Sequence, residues 1–440
     1  MANRGMKDSG IEWIGEIPES WEVSKIKYLH DGKSYSFIDG DWIDAKYIVN
    51  NGIRYFTTGN IGDGKFKVQG DGYISEETFE FLNCKFAYAG DLIFSRLNAP
   101  YGRSCILPDM EARCVVAVDN VILRTEHNKK YICYVTQCYG YQRSVEDKAS
   151  GTTMKRISRT NLGNIYLPLP PLPEQKAIAD YLDTKCAEID GLKADITEQI
   201  EVLKQYKQSV ITEAVTKGLD PDVPMKDSGI EWIGEIPESW EVSRVKYVTK
   251  QIGSGTTPTA SNMKYYDGDY NWIQSGDIYN KDIISTTEKT VSYSALLEVS
   301  SLRVFKSDFI VIAMYGASVG NVAISKIDAC TNQACCVLKT DDFYSLKYLY
   351  YVLKSSYKVM IGKAIGGTQP NISQILIKNL NVLLPPLEEQ KAIADYLDTK
   401  CAEIDQIIES KGQQLEALEE YKKSMIYEYV TGKKEVPQEV

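Results

Sequence analysis

Three groups of residues in this chain have types and spacings that invite a chemical reading. The first is "GNIGDGKF" (Gly59–Phe66), which fits the GxxxxGK of a phosphate loop. Such a loop cradles phosphates with backbone N–H groups, and the next residue should be a Ser or Thr that holds magnesium. Here that residue is Phe66, and the second half of the chain has no counterpart, so a glycine-rich turn between strands is expected. The second group is Asp109 with Glu146 and Lys148. Two carboxylates and a lysine suit a metal-dependent nuclease, but the spacing is long and the second half lacks it again. The third is the inventory of histidines and cysteines. Only His30 and His127 are present, and the ten cysteines include no CxxC pair. That pattern suggests neither a zinc site nor a disulfide framework, and buried reduced thiols are expected. No NPPY-type adenine-methylation motif or FxGxG loop is found. The residues offer no active site.

The elements around these residues say more. The chain has 440 residues, of which 43% are apolar and 25% charged, a globular composition with length enough for two domains. Its longest apolar run, "FIVIAM" at Phe309–Met314, is too short to span a bilayer, and "MANRGMKDSG" has no apolar signal core. A cytoplasmic protein without a membrane partner is expected. The formal charge of −10 argues at first against nucleic acid. Its distribution reverses the point: residues 28–165 and 247–381 are mildly basic, and the acid is concentrated in 174–222 and 388–440.

Two duplications organise the chain. "MKDSGIEWIGEIPESWEVSKIKY" from Met6 recurs as "MKDSGIEWIGEIPESWEVSRVKY" from Met225, and "PPLPEQKAIADYLDTKCAEID" from Pro170 recurs as "PPLEEQKAIADYLDTKCAEID" from Pro385. Between them lie two divergent middles with a faint shared skeleton. "YFTTGNIGDG" (from Tyr55) echoes "WIQSGDIYN" (from Trp272), "GDLIFSRLNAPYGRSCIL" (from Gly90) echoes "SDFIVIAMYGASVGNVAI" (from Ser307), and "GTTMKRIS" (from Gly151) echoes "GTQPNIS" (from Gly367). Rich in Tyr, Val, Ile and Thr and broken by Gly, Asn and Asp, the middles read as strands and turns with some helix. The period is too long for a solenoid, so two domains are expected.

"PEQ" and "EEQ" open strongly helical stretches with a seven-residue beat. Ile178, Leu182, Ile189, Leu192, Ile196, Leu203, Tyr206 and Val210 keep it in the first copy. Ile393, Leu397, Ile404, Ile407, Leu418, Tyr421 and Met425 keep it in the second, where Lys411 breaks it. Sustained heptads predict a coiled coil, with these residues as the seam between two helices each about 65 Å long. On that pattern Leu203→Asp is expected to abolish folding or assembly. Lys185, Lys400, Gln199 and Gln414 are polar positions that either set the register or face solvent.

The arrangement resembles the specificity subunit of Type I restriction–modification enzymes over nearly the whole chain. The marks are "IPESWE" opening each half, "GTT…IS" and "GTQ…IS" closing each variable region, and "LPLPPLPEQKAIADYLD" and "LLPPLEEQKAIADYLD" opening each helix. The resemblance implies an α+β (mixed α/β) protein: two globular target-recognition domains separated by two long antiparallel coiled-coil helices, in a pseudo-twofold circular arrangement. The segments are 1–168 (recognition domain 1), 169–219 (central helix), 220–383 (recognition domain 2) and 384–440 (C-terminal helix). It further implies that each domain reads half of a split double-stranded DNA target, and that two copies of a modification subunit dock on the chain. Those subunits carry S-adenosylmethionine and methylate adenine, and restriction subunits add ATP- and Mg-dependent translocation and cleavage. This chain would hold no cofactor, metal or catalytic residue.

Base edges are read by side-chain donors and acceptors. Loops beside the shared skeleton offer Arg96, Asn98, Tyr101, Arg103, Thr152, Lys155, Arg156 and Arg159 in the first half. In the second they offer Gln274, Ser275, Tyr315, Asn321, Asn332, Gln333, Lys363, Thr368 and Gln369. "KRISRTN" (from Lys155) is the densest basic cluster and suits phosphates. Two rivals stand beside this: a coiled-coil scaffold without a DNA role, and a stand-alone nuclease using Asp109, Glu146 and Lys148. The first leaves the divergence of the middles on a constant frame unexplained, and the second would show magnesium-dependent cutting by the isolated chain.

Overall fold

The computed structural model describes residues 4–437, apart from 71, 111–112, 152–153 and 365–369. The chain forms two compact units of mixed α/β structure. One joins Met1–Ile196 to Gly412–Val440, and the other is Thr197–Lys411. Each long helix, Leu172–Lys217 and Leu387–Val430, therefore contributes one part to each unit. No helix among the described residues is long and apolar enough to cross a membrane.

The divergent middles fold alike. In unit 1 a four-stranded sheet runs in the order Phe37–Asp39, Asn120–Leu123, Leu92–Ser95, Ser104–Ile106. A second sheet sets Ile53–Phe56 parallel to Cys114–Val116, with Tyr73–Ile74 on its other side. Unit 2 repeats this with five strands in the order Thr249–Ser254, Cys335–Thr340, Phe309–Ala313, Val322–Ser325, Ile283–Ile284. Its second sheet sets Tyr266–Ile273 parallel to Ala329–Thr331, with Lys289–Val291 opposite. The central strands Leu92–Ser95 and Phe309–Ala313 are buried along their whole length, which is why they read as unbroken apolar runs.

The duplicated motifs clamp each middle to a helix. Trp21 of the first "IPESW" is fully buried, and its Nε1 donates to Glu174 Oε2 at 2.9 Å; Trp240 donates to Glu389 Oε2 at 3.1 Å. Gln175 Oε1 accepts the Asn128 N–H at 2.9 Å, as Gln390 Oε1 accepts that of Ser345 at 2.8 Å. Asp183 accepts from the Tyr134 hydroxyl, and Asp398 from that of Tyr351, each at 2.7 Å. Lys130 and Lys347 pair with the same two aspartates. The far end of the other helix closes each clamp. The Tyr131 hydroxyl donates to Val430 O at 2.9 Å and the Tyr348 hydroxyl to Val215 O at 3.1 Å. In unit 1 the C-terminal residues pack on the N-terminal segment, with Lys433 Nζ donating to Ile14 O at 2.7 Å.

The seam differs from the heptad expectation. Ile178, Leu182, Ile189, Ile393, Leu397 and Met425 are buried in the cores of the units, and Ile404 is buried outside those clusters. Ile196, Leu203, Val210 and Leu418 are only half-buried. Leu192, Tyr206, Ile407 and Tyr421 remain 53%, 58%, 47% and 59% exposed, so they do not close a seam. Cross-helix polar pairs hold those levels instead. Lys193 pairs with Glu419, and Lys422 with Asp190 at 2.6 Å, in unit 1; in unit 2 Lys207 pairs with Asp405 at 2.6 Å. Lys411 bonds to Gln199 Oε1 at 2.6 Å, while Lys185 and Lys400 form exposed pairs along their own helices with Glu188 and Glu403. A helix whose ends enter two cores needs a wide apolar face there and only a narrow one between.

Burial therefore reorders the expected mutational effects. Leu182→Asp buries an unpaired charge in the unit 1 core and should cost several kcal/mol. Leu203→Asp can hydrate its carboxylate and should cost only about 1 kcal/mol. Thermal or urea melts of the two variants check this, and equal losses would restore the closed seam.

Candidate nucleic-acid interface

Backbone hydrogen bonds align the two units position by position. Arg96 N–H donates to Asp119 O at 2.8 Å and Ile157 N–H to Arg96 O at 3.0 Å; Met314 N–H donates to Ala334 O and Ile372 N–H to Met314 O, both at 2.7 Å. Bridges pair Leu97 with Arg156 and Tyr315 with Asn371. The turns that follow carry Asn98 at φ 63° and Gly316 at φ 88°, the left-handed region that Asn and Gly tolerate. Upstream, Thr57 N–H donates to Asn60 Oδ1 at 2.9 Å and Gln274 N–H to Asp277 Oδ2 at 2.8 Å, the same cap built from different side chains. Hence Arg96 matches Met314, Arg103 matches Asn321, Asp119 matches Ala334, Arg156 matches Asn371 and Arg159 matches Gln374.

The frame gathers three of the first-half candidates. Arg96 lies 3.5 Å from Asp39 and 3.9 Å from Asp119, Arg156 lies 3.5 Å from Asp119, and Arg159 lies 3.3 Å from Asp39. The Arg96 side chain is only 10% exposed, whereas those of Arg156 and Arg159 are 57% and 41% exposed. Below them Asn120 is fully buried, and neither of its amide atoms has a hydrogen-bond partner. Asp39 Oδ1 and Arg96 Nε are likewise buried without one.

The remaining candidates are scattered. Arg103 is buried and donates to Ile61 O at 2.5 Å, Thr58 O at 2.9 Å and Pro100 O at 3.1 Å, bracing the loop from within. Tyr101 packs on the unit 1 core. Asn98 is exposed, and Lys155 pairs with Glu146 at 3.9 Å. In unit 2, Gln274 and Ser275 lie at the capped turn, where Ser318 Oγ donates to Ser275 O at 2.7 Å. Asn332 Oδ1 accepts the Ala334 N–H at 3.0 Å, and exposed Gln333 accepts from Thr257 at 2.6 Å. Tyr315 and Asn321 are half-buried, and Lys363 follows the helix Tyr357–Gly362. Thr152, Thr368 and Gln369 lie outside the described residues. Asp39, Asp119, Asn371 and Gln374 were not singled out from the sequence. Aligning the two "IS" pairs places Arg156 opposite Asn371 and Arg159 opposite Gln374, but Asp39 comes from a distant strand and Asp119 from a distant turn.

The other chemical groups are engaged in the fold. In "GNIGDGKF" the Gly62 and Gly64 N–H groups donate to Lys65 O and Ser104 O, both at 2.9 Å, and Lys65 pairs with Asp190 at 3.2 Å. The ten cysteines are buried and unpaired, and burial pushes the Cys105 and Cys133 thiols up to about 12. Among the described residues no three His, Cys, Asp or Glu side chains gather to hold a metal.

A profile of the family described as the Type I restriction modification DNA specificity domain matches residues 18–202 and again 237–419. The putative type I restriction enzyme MjaX specificity subunit of Methanocaldococcus jannaschii is 28% identical, over 96% of this chain and 95% of its own. The MjaVIII specificity subunit of the same organism is 29% identical, over 95% and 93%. Among solved structures, a chain of a type I R-M system superposes with a TM-score of 0.72 at 15% identity, covering 94% of this chain and 98% of its own. The HsdS subunit of Thermoanaerobacter tengcongensis does so with a TM-score of 0.53 at 16% identity and the same coverage.

The bracing role of Arg103 is testable. Arg103→Ala leaves buried carbonyls without donors and should destabilise unit 1 by about 2 to 3 kcal/mol. A calorimetric melt unchanged from the parent would place this guanidinium outside the loop's support.

Proposed function

The chain belongs to the Type I restriction modification DNA specificity family, and from that membership we propose that its two units read the two halves of a split, asymmetric double-stranded DNA target. The observation that carries this is one backbone frame filled twice with different side chains. A device that reads two unlike half-sites needs equivalent positions and unequal chemistry at them. The domains that read are residues 1–168 and 220–383, and the helices hold them at the spacing of the target.

Catalysis belongs to partners in this proposal. Two copies of a modification subunit bring S-adenosylmethionine and methylate adenine, and restriction subunits bring ATP- and Mg-dependent cleavage; this chain supplies sequence and geometry. The exposed helix surface supports the docking. Leu192 and Tyr421 in unit 1, and Tyr206 and Ile407 in unit 2, are large apolar side chains left exposed at corresponding positions. Exposed apolar groups repeated at corresponding positions suit a repeated partner.

Two outcomes are expected. Methylome sequencing of cells that carry the modification subunit should reveal a two-part methylated motif only when this chain is present. A motif independent of the chain would refute the function. Tyr421→Asp combined with Leu192→Asp should weaken binding of the modification subunit about tenfold or more in calorimetric titration, with little change in melting temperature. Undiminished affinity would move the docking surface elsewhere.

A further inference from the structure

The matched positions beside the two "IS" pairs differ in chemistry in a way that bears on what they touch. In unit 1 they hold Arg156 and Arg159, steadied by Asp119 and Asp39 at 3.5 and 3.3 Å. In unit 2 they hold Asn371, which is exposed, and Gln374, whose Nε2 donates to Ser254 Oγ at 3.3 Å. Strand pairing gives Asp39 and Ser254 the same place in their sheets, opposite Val121 and Cys336. One ionic cluster is thus exchanged for a neutral one on an unchanged backbone.

Three arginines beside two carboxylates form a poor phosphate site, because the carboxylates repel a phosphate. They fit a base pair that offers both acceptors and a donor. Guanine presents O6 and N7 to an arginine, and its partner cytosine presents an N4 donor to a carboxylate. Carboxamides fit adenine, whose N6 and N7 are one donor and one acceptor. The backbone at these positions is fixed in advance. Arg156 exchanges N–H···O bonds with Ser150, both at 2.9 Å, and Asn371 bridges Tyr315.

We propose that Arg156 and Arg159 with Asp119 and Asp39 read a G·C base pair in one half-site, and that Asn371 and Gln374 read an A·T pair in the other. Arg156, Arg159, Asn371 and Gln374 touch the bases; Asp39 and Asp119 position the arginines and offer an acceptor to the cytosine N4 amino group. This rests on the DNA-reading function above and adds the residues and the bases to it.

The test uses the full chain with its modification subunit and reads the methylated motif by genome-wide methylome sequencing. The parent motif comes first: if the parent directs no two-part motif, the function itself fails. Given a parent motif, Arg156→Ala should lower discrimination at one G·C pair of one half-site about ten- to a hundredfold and leave the other half intact. Asn371→Ala should do the same at one A·T pair of the other half. An unchanged motif in an active variant overturns the proposal and spares the function. If Arg156→Ala abolishes methylation, Arg156→Lys decides, since it keeps the charge and loses the two-pronged donor. Methylation restored with the parent motif means a phosphate contact and overturns the proposal; methylation restored with a relaxed G·C position supports it. A lysine variant that stays inactive but folds with the parent's melting temperature also counts against base reading, which should relax specificity before it removes activity.

Discussion

Each unit depends on one buried clamp, the indole of an "IPESW" tryptophan donating to the glutamate that opens a long helix. Trp21 with Glu174 and Trp240 with Glu389 are fully buried rings whose single polar atom meets a carboxylate. A hydrogen bond to a charged group contributes about 1.5 to 3 kcal/mol, and a buried indole N–H left without its acceptor costs about 1 to 3 kcal/mol. The same turn brings Gln175 or Gln390 to a loop N–H, and farther along the helix Asp183 or Asp398 meets a tyrosine hydroxyl. The orientation of each middle on its helix is therefore set by residues that the two copies share. Change elsewhere in the middle does not disturb it.

That constraint frees the middles to diverge without losing their fold. Phe94 and Ile312 occupy matched, fully buried strand positions, and Asn60 and Asp277 cap matched turns with different acceptors. Burial and the capping acceptor are kept while identity is not. At the exposed end of the frame nothing needs keeping. Arg156 can face Asn371 and Arg159 can face Gln374 across the internal symmetry, and there the two units acquire unlike chemistry.

Much of this was legible in the sequence because it rests on local pattern. The repeats mark the clamp residues directly, since Trp21, Glu174, Gln175 and Asp183 all fall within duplicated stretches. The helices were legible from their heptads, but the seam was not. A seven-residue beat records which side chains are apolar, not whether a partner covers them, and Tyr421 and Leu192 keep the beat while facing solvent. The candidate DNA residues were legible as residue types in loops. Their environment was not: Arg103 is enclosed by carbonyls from Ile61, Thr58 and Pro100, whereas Arg156 stands in the open beside Asp119. Thr58, Ile61 and Asp119 are distant in sequence from the arginines they meet, which no short window holds.

The central claim is that a constant clamp presents two independent readers. It is tested most directly by replacing residues 28–165 with the corresponding segment of a relative of different target, keeping Trp21, Glu174, Gln175 and Asp183. The methylated motif of cells carrying the hybrid and its modification subunit is then sequenced. The account predicts that one half of the motif becomes that of the donor, while the other half and the spacer stay as they were. A change in both halves would contradict it, because the units would then not read independently.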